Sequence, residues 1–437
     1  MLARVASVAL HRNREFRLLW SGQTLSELGS QLSLVAYPLL VLAITGSPAK
    51  AGVVGFAKTV PIAVLALPAG ALADRVNRKH LMIACDSIRA VALATIPITL
   101  WLGSIPYALI VAVAFIDGSG FVVSYVTERG ALRQLVPAEQ LREAVARNES
   151  RTFGAMLAGP PLGGLLFGLG RAIPFACDVF SYLASTISML LIRTEFQEAR
   201  DGTEAGQIHE GLRWIWQRPF LRVCALLFAG SNPIFTALYL LVVVLARRDG
   251  ASSGLIGVML GIAAAGGLLG AVLAPALQRR ISPRLILIGE TWLLALSLPL
   301  LLVTHFALLL GVIVALAELI TPVTNSIVVG YRVALAPDRL QGRVQAASTL
   351  LSFSAGWLGP LFAGFMIENA GPTATVLALT GWALLLAVIA TGSRAFRHPP
   401  HPGTPSQPPP TGPLRPPTDE LSEAAAAEVL LGREAGR

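Results

Sequence analysis

Charge is what this sequence has least of. Of its 437 residues only 14% are Asp, Glu, Lys or Arg, against about 25% in an average soluble chain. That shortfall excludes a water-facing globular enzyme of ordinary composition. Cysteine is scarce as well: Cys85, Cys177 and Cys224 lie in or beside apolar runs without metal-ligand spacing, so they read as small buried hydrophobes. A Walker loop, a zinc pattern and a nucleophile elbow are all missing. Five of the six histidines fall in loops or tails, and His305 stands alone at the edge of an apolar run. The expectation is a chain that is not an enzyme and carries neither metal nor cofactor.

What is present is apolar. Hydrophobic residues make up 54% of the chain and the mean hydropathy is +0.66. Windows of about 20 apolar residues, long enough to cross a bilayer, recur along almost the whole length. Charged and Gly/Pro-rich breaks divide them into twelve spans: 17–44, 50–73, 81–102, 105–128, 146–170, 172–193, 221–246, 254–278, 284–303, 306–331, 344–368 and 371–393. The net charge of +9 does not point to nucleic acid, because the basic residues crowd alternate connections: Arg75, Arg78 and Lys79; Arg133, Arg142 and Arg147; Arg213, Arg218 and Arg222; Arg279, Arg280 and Arg284. The connections between are nearly uncharged. This positive-inside pattern predicts cytoplasmic termini, and the first span acts as its own insertion signal.

Residues 194–220 form the longest internal loop and predict a division into 1–193, a linker 194–220, 221–393 and a disordered tail over 394–437. The stretch Glu210–Arg222 interleaves Leu212, Ile215, Trp216 and Phe220 with arginines, which suits either an amphipathic helix on the membrane surface or a plain linker. The two large segments echo each other. Leu135-Val-Pro137 answers Leu335-Ala-Pro337, Gly159-Pro160 answers Gly359-Pro360, and Gly164 answers Gly364 at the same offset. A duplicated six-helix bundle explains such matches.

Between the second and third spans stands Gly70-Ala-Leu-Ala-Asp74-Arg75-Val-Asn-Arg78-Lys79. With the duplicated halves, this signature resembles the major facilitator superfamily, whose loop motif it matches at Gly70, Leu72, Asp74, Arg75, Arg78 and Lys79. Phe16-Arg-Leu-Leu-Trp20, Thr45-Gly-Ser-Pro48 and Gly211-Leu-Arg-Trp-Ile-Trp216 are similar to the enterobactin-exporter and macrolide-efflux-like branch. The resemblance implies an all-α integral membrane fold of twelve helices in two pseudo-symmetric bundles, and alternating access around a central cavity. Asp74 would cap a neighbouring helix, and Arg75 would pair with cytoplasmic acids to hold one conformation closed. In the fifth span, Gly154, Gly159, Pro160, Gly163 and Gly164 resemble a motif associated with exporters. As physics, the same residues make a packing hinge.

Ionisable residues at bilayer depth are costly and call for a functional hypothesis. Glu27 shares a helix face with Gln23 and Gln31, Asp117 is central in the fourth span and Glu318 in the tenth. The resemblance places the first, fourth, seventh and tenth helices around the cavity, with Asn232, Thr236 and Tyr239 added by the seventh. The candidate proton-coupling carboxyls are Glu27, then Asp117, then Glu318, each with an alternative as a structurally neutralised acid. Asp86 and Arg89 suit an intrahelical pair, with Arg89 a further candidate on the pathway, and Lys58 could meet a cavity acid. Asp178 and Glu290 rank lower. An Arg within the fourth span, frequent in proton antiporters of the superfamily, is missing here. The resulting expectation is a monomeric exporter of a small amphipathic substrate in a bacterial inner membrane, driven by the proton gradient. Uptake by symport and a transport-inactive scaffold are the alternatives.

Overall fold

The computed structural model describes residues 10–194, 196, 208–337, 340–353 and 355–397. The predicted tail beyond 397, the middle of the linker (197–207) and the side chain of Asp74 lie outside the described residues. The fold is all-helical: α1 (Arg14–Thr45), α2 (Pro48–Arg75), α3 (Arg78–Trp101), α4 (Tyr107–Leu135), α5 (Leu141–Leu169), α6 (Ile173–Leu191), α7 (Ile208–Trp216), α8 (Pro219–Arg248), α9 (Ser253–Arg280), α10 (Pro283–Ser297), α11 (Ala307–Glu318), α12 (Thr321–Leu335), α13 (Gln341–Phe353), α14 (Leu358–Gly392) and α15 (Arg394–Arg397).

Local chemistry sets the ends. Asn13 caps α1 by accepting from the N–H groups of Glu15 and Phe16, and Gly46 closes it in the left-handed conformation (φ 66°). Ser47 and Ser252 cap α2 and α9 in the same way, at matching places in the two halves. Eleven helical segments are long and apolar enough to cross a bilayer. The last of these, α14, leaves helical geometry at Gly371 (φ 84°), next to Pro372, and is therefore two spans, which makes twelve among the described residues. Burial is inverted relative to a soluble protein: Val91, Trp101, Leu169, Phe180 and Val303 are largely exposed, while Gln23, Asp86, Arg89, Asp117 and Asp178 are buried. Such a surface belongs in lipid.

Two predicted spans are interrupted. The span expected at 306–331 is split into α11 and α12 around Leu319–Ile320, because Pro322 has no N–H to offer the carbonyl of Glu318. The span expected at 344–368 is split between α13 and α14, for the same reason at Pro360. Here the side chains of α8 repair the backbone: Asn232 Nδ2 donates to the carbonyl of Ser352 at 2.7 Å and Thr236 Oγ1 to that of Gly356 at 2.7 Å. Non-helical backbone at membrane depth needs such partners. Asn232, expected to line the cavity, is thus committed to holding this break.

The helix expected within Glu210–Arg222 exists as α7, which packs against α13 and leaves Trp216 half exposed. Gly211 presses against the backbone of Arg343 and Val344, Trp214 and Ile215 are buried, and Glu210 forms an ion pair with Arg343. Arg218 stacks on Trp214, 3.6 Å from the ring centre.

Candidate functional site

The halves, α1–α6 and α8–α14, meet at two crossings. On the first, a Cβ added to Gly164 of α5 would strike the carbonyl of Ser253 and come within 2.7 Å of Gly257 Cα on α9. On the second, a Cβ on Gly52 of α2 would strike the carbonyl of Pro360 and come 3.0 Å from Gly364 Cα on α14. The repeat of Gly-Pro and Gly in the sequence is therefore the crossing itself, built twice. Gly159 and Gly163 face the other way, onto Gln31 and Leu32 of α1, so the α5 motif packs on two sides at once. Both crossings lie near the caps of α2 and α9, at the charge-poor end of the bundle. There Glu368 of α14 also accepts hydrogen bonds from Ser47 Oγ and, at 2.9 Å, from the Ala49 N–H, so a carboxylate of one half caps a helix of the other. Gly70, Gly154 and Gly267 have open space where a Cβ would stand, as do Gly46 and Gly168.

Between them lies a cavity of about 290 Å³, lined by Tyr37, Lys58, Phe235, Tyr239, Glu318 and Pro360 among others. Lys58 forms an ion pair with the fully buried Asp117. The same carboxylate receives Arg89 Nε at 2.9 Å and Tyr182 Oη at 2.9 Å. Arg89 also donates to Tyr182 at 2.5 Å and to Ser30 at 3.0 Å, with Asp86 3.7 Å away. Gln23 reaches this network through Ser185, which donates to Asp86 at 2.6 Å. Asp178 is bonded to Ser33 at 2.5 Å. Arg89 is therefore more than an intrahelical partner of Asp86: it joins α3, α4 and α6, and the cation that the fourth span lacks is supplied by α2 and α3.

Glu27 has a different setting from the one its polar stripe implied. Arg151 of α5 donates Nε to Glu27 at 3.0 Å, and Nη1 and Nη2 to Glu128 at 2.8 and 3.1 Å; Thr152 adds a bond to Glu27 at 3.2 Å. Arg151 and Glu128 were not singled out from the sequence. The signal was available, since Arg151 is an arginine inside the predicted span 146–170.

Of the loop signature, Arg78 donates to the Gly130 carbonyl at 3.3 Å and Lys79 to that of Ile192 at 2.5 Å, both within the first half. Arg75 is exposed and has no ion pair among the described residues. In the second half, Glu318 on the cavity wall makes no hydrogen bond or ion pair among the described residues, Glu290 Oε1 is buried without a hydrogen-bond partner, and Asp249 lies 3.4 Å from His305.

Residues 5–408 match the family model described as "Transmembrane secretion effector". The chain belongs to this family. Among curated relatives, the multidrug efflux pump Tap of Mycolicibacterium fortuitum is 28% identical over 83% of this chain and 91% of its own length. Macrolide efflux protein A of Streptococcus pyogenes is 25% identical over 51% of this chain and 55% of its own. Among solved structures, a bacterial homologue of the iron transporter ferroportin, in an inward-facing state, superposes with a TM-score of 0.68 at 16% identity, covering 86% of this chain and 98% of that one. A bacterial homologue of the lysosomal transporter Spinster gives 0.65 at 15%, covering 88% and 96%. The chain is thus a multi-pass membrane transporter with the major facilitator fold.

Proposed function

We propose that the chain exports small amphipathic molecules across the bacterial cytoplasmic membrane by alternating access, with protons moving inward in exchange. The observation that carries this reading is Glu318, a carboxyl without a cation on the wall of a mostly apolar, aromatic-bearing cavity between the halves. The other charge on that wall, Lys58, is answered by Asp117. The cavity thus presents a lone acid to whatever enters, and a proton and a cationic amphiphile compete for it. Such competition is what an antiporter needs. Glu27 and Asp117 serve the first half as structural anchors in this reading, and coupling passes to Glu318. The efflux pumps to which the chain is similar support the outward direction.

The basic connections support a cytoplasmic charge-rich end, which puts the Gly52–Gly364 and Gly164–Gly257 crossings toward the outside in this reading. In this reading Arg75, which has no ion pair among the described residues, would find its cytoplasmic acids in the other state of the cycle.

Proteoliposomes with an internal pH dye test the proposal, using hydrophobic cations, macrolides and catecholate siderophores as substrates. Antiport requires substrate and protons to move in opposite directions, with the proton movement lost in Glu318→Gln. Movement in the same direction would establish symport instead, and coupled flux that survives Glu318→Gln would return the role to Glu27 or Asp117.

A further inference from the structure

A second acid in the second half is sealed away from the central cavity. Glu290 of α10 is 6% exposed and lines a small void of about 20 Å³, together with Cys224, Ser231, Thr291 and Thr324. The remaining wall is apolar, with Phe228, Phe235, Leu287 and Leu386. A void of this size accepts one water-sized guest. The hydroxyls of Thr321 and Thr324 approach the carboxyl closely enough to interact with it. Even so, Glu290 Oε1 and Thr321 Oγ1 are left without hydrogen-bond partners.

An unsatisfied carboxylate oxygen on the wall of a small void, with a second unsatisfied oxygen on Thr321 close to the same carboxyl, is costly unless something fills the space. The elements around Glu290 bring few charges. Helix α14 contributes only Ala383 and Leu386 to the void, and α11 brings Glu318. The Cys224 thiol of α8 lies within electrostatic reach of both Glu290 and Arg332 of α12, but no ion pair joins Glu290 to any cation among the described residues. Thr321 and Thr324 sit on the first turn after the break at Leu319–Ile320, where Pro322 has freed a backbone carbonyl. Interrupted helices at membrane depth are where secondary transporters hold their ions.

We propose that Glu290, with the hydroxyls of Thr321 and Thr324, forms a site for one monovalent cation, separate from the central cavity. The guest is a hydrated proton or Na⁺, since both meet the same need: one positive charge and contacts to hard oxygens in a space with no room for a side chain. Phe235 lines both the void and the central cavity and stands as the partition between them. The site does not depend on the direction of transport or on the role of Glu318, and it is read out without transport.

The purified full chain in nanodiscs provides the test. Thermal unfolding is compared in NaCl and in choline chloride at equal ionic strength, and infrared difference spectra are taken across pH. Sodium occupancy predicts an unfolding midpoint several degrees higher in NaCl, lost in Glu290→Gln and kept in Glu318→Gln. Proton occupancy predicts no sodium shift, but a protonated-carboxyl band that titrates and disappears in Glu290→Gln. Neither signal in the wild-type chain overturns the proposal, as does a signal that disappears in Glu318→Gln but persists in Glu290→Gln. Should Glu290→Gln fail to fold, Thr324→Val serves in its place, and a sodium shift or carboxyl band indistinguishable from wild type overturns the site.

Discussion

The two halves share a fold and differ in how they keep their acids. In the first half each buried carboxylate has a named partner: Asp117 has Lys58, Arg89 and Tyr182, Glu27 and Glu128 share Arg151, Asp178 has Ser33, and Asp86 has Ser185, with its Oδ1 making no hydrogen bond but lying 3.7 Å from Arg89. In the second half Glu318 has none and Glu290 leaves an oxygen unsatisfied. A paired charge stiffens the helices it joins, because removing either member strands the other in a low-dielectric interior. An unpaired acid is poised to take a guest. The comparison suggests a division of labour, with a rigid first half and a responsive second half, on one duplicated architecture.

The largest test of that division is Asp117→Ala. It leaves Lys58 and Arg89 without their carboxylate and should cost about 3–5 kcal/mol, seen as a steep fall in the unfolding midpoint. Adding Lys58→Met should recover part of the loss; if the single change is silent, the first half is not held by its charges. Next comes Gly164→Val, which forces a side chain into the backbone of α9. Overpacking of about 1–3 kcal/mol would fall on the state in which the crossing is closed, so cysteine labels near Ser252 should react about tenfold faster or more. Gly52→Val at the twin crossing should do the same, and unchanged labelling in both would mean that the halves do not separate there.

Glu318→Gln is the counterpart of Asp117→Ala in the other half and should behave oppositely. Stability should stay within about 0.5 kcal/mol of wild type while substrate-driven proton movement disappears. A large loss of stability would mean that Glu318 has a structural partner after all, and the contrast between halves would fail. The smallest effect is expected from Glu368→Gln, which weakens the cap over Ser47 and Ala49 at an exposed site. Labelling at the charge-poor end should rise slightly, and by less than in Gly164→Val.

Much of this was legible along the chain. Apolar run length gave the twelve spans, and the paired Gly-Pro and Gly positions foretold the crossings, because a close approach of helices admits few residue types. The acids themselves were also visible. Their partners were not, since Glu27 meets Arg151 across 124 positions and Asp117 meets Lys58 across 59, and helix periodicity describes only neighbours on one helix. The same limit concealed Asn232 as the support of a broken span. Its role depends on α13 ending at Phe353, in another part of the chain, which leaves the Ser352 carbonyl open to it. The breaks at Pro322 and Pro360 were readable one residue at a time, but long apolar runs drew the spans across them.

At the two crossings, peptide planes lie against peptide planes with almost no side chains between. Interlocked ridges would oblige one helix to climb over the other as the halves tilt. Here the relief is limited to the rings of Pro161 and Pro360 and the Leu165 side chain, which project onto Gly261, Gly55 and Gly254, so under the proposed alternating access rotation would need little repacking. Under the proposed alternating access, the contact would then work as a bearing rather than a gear.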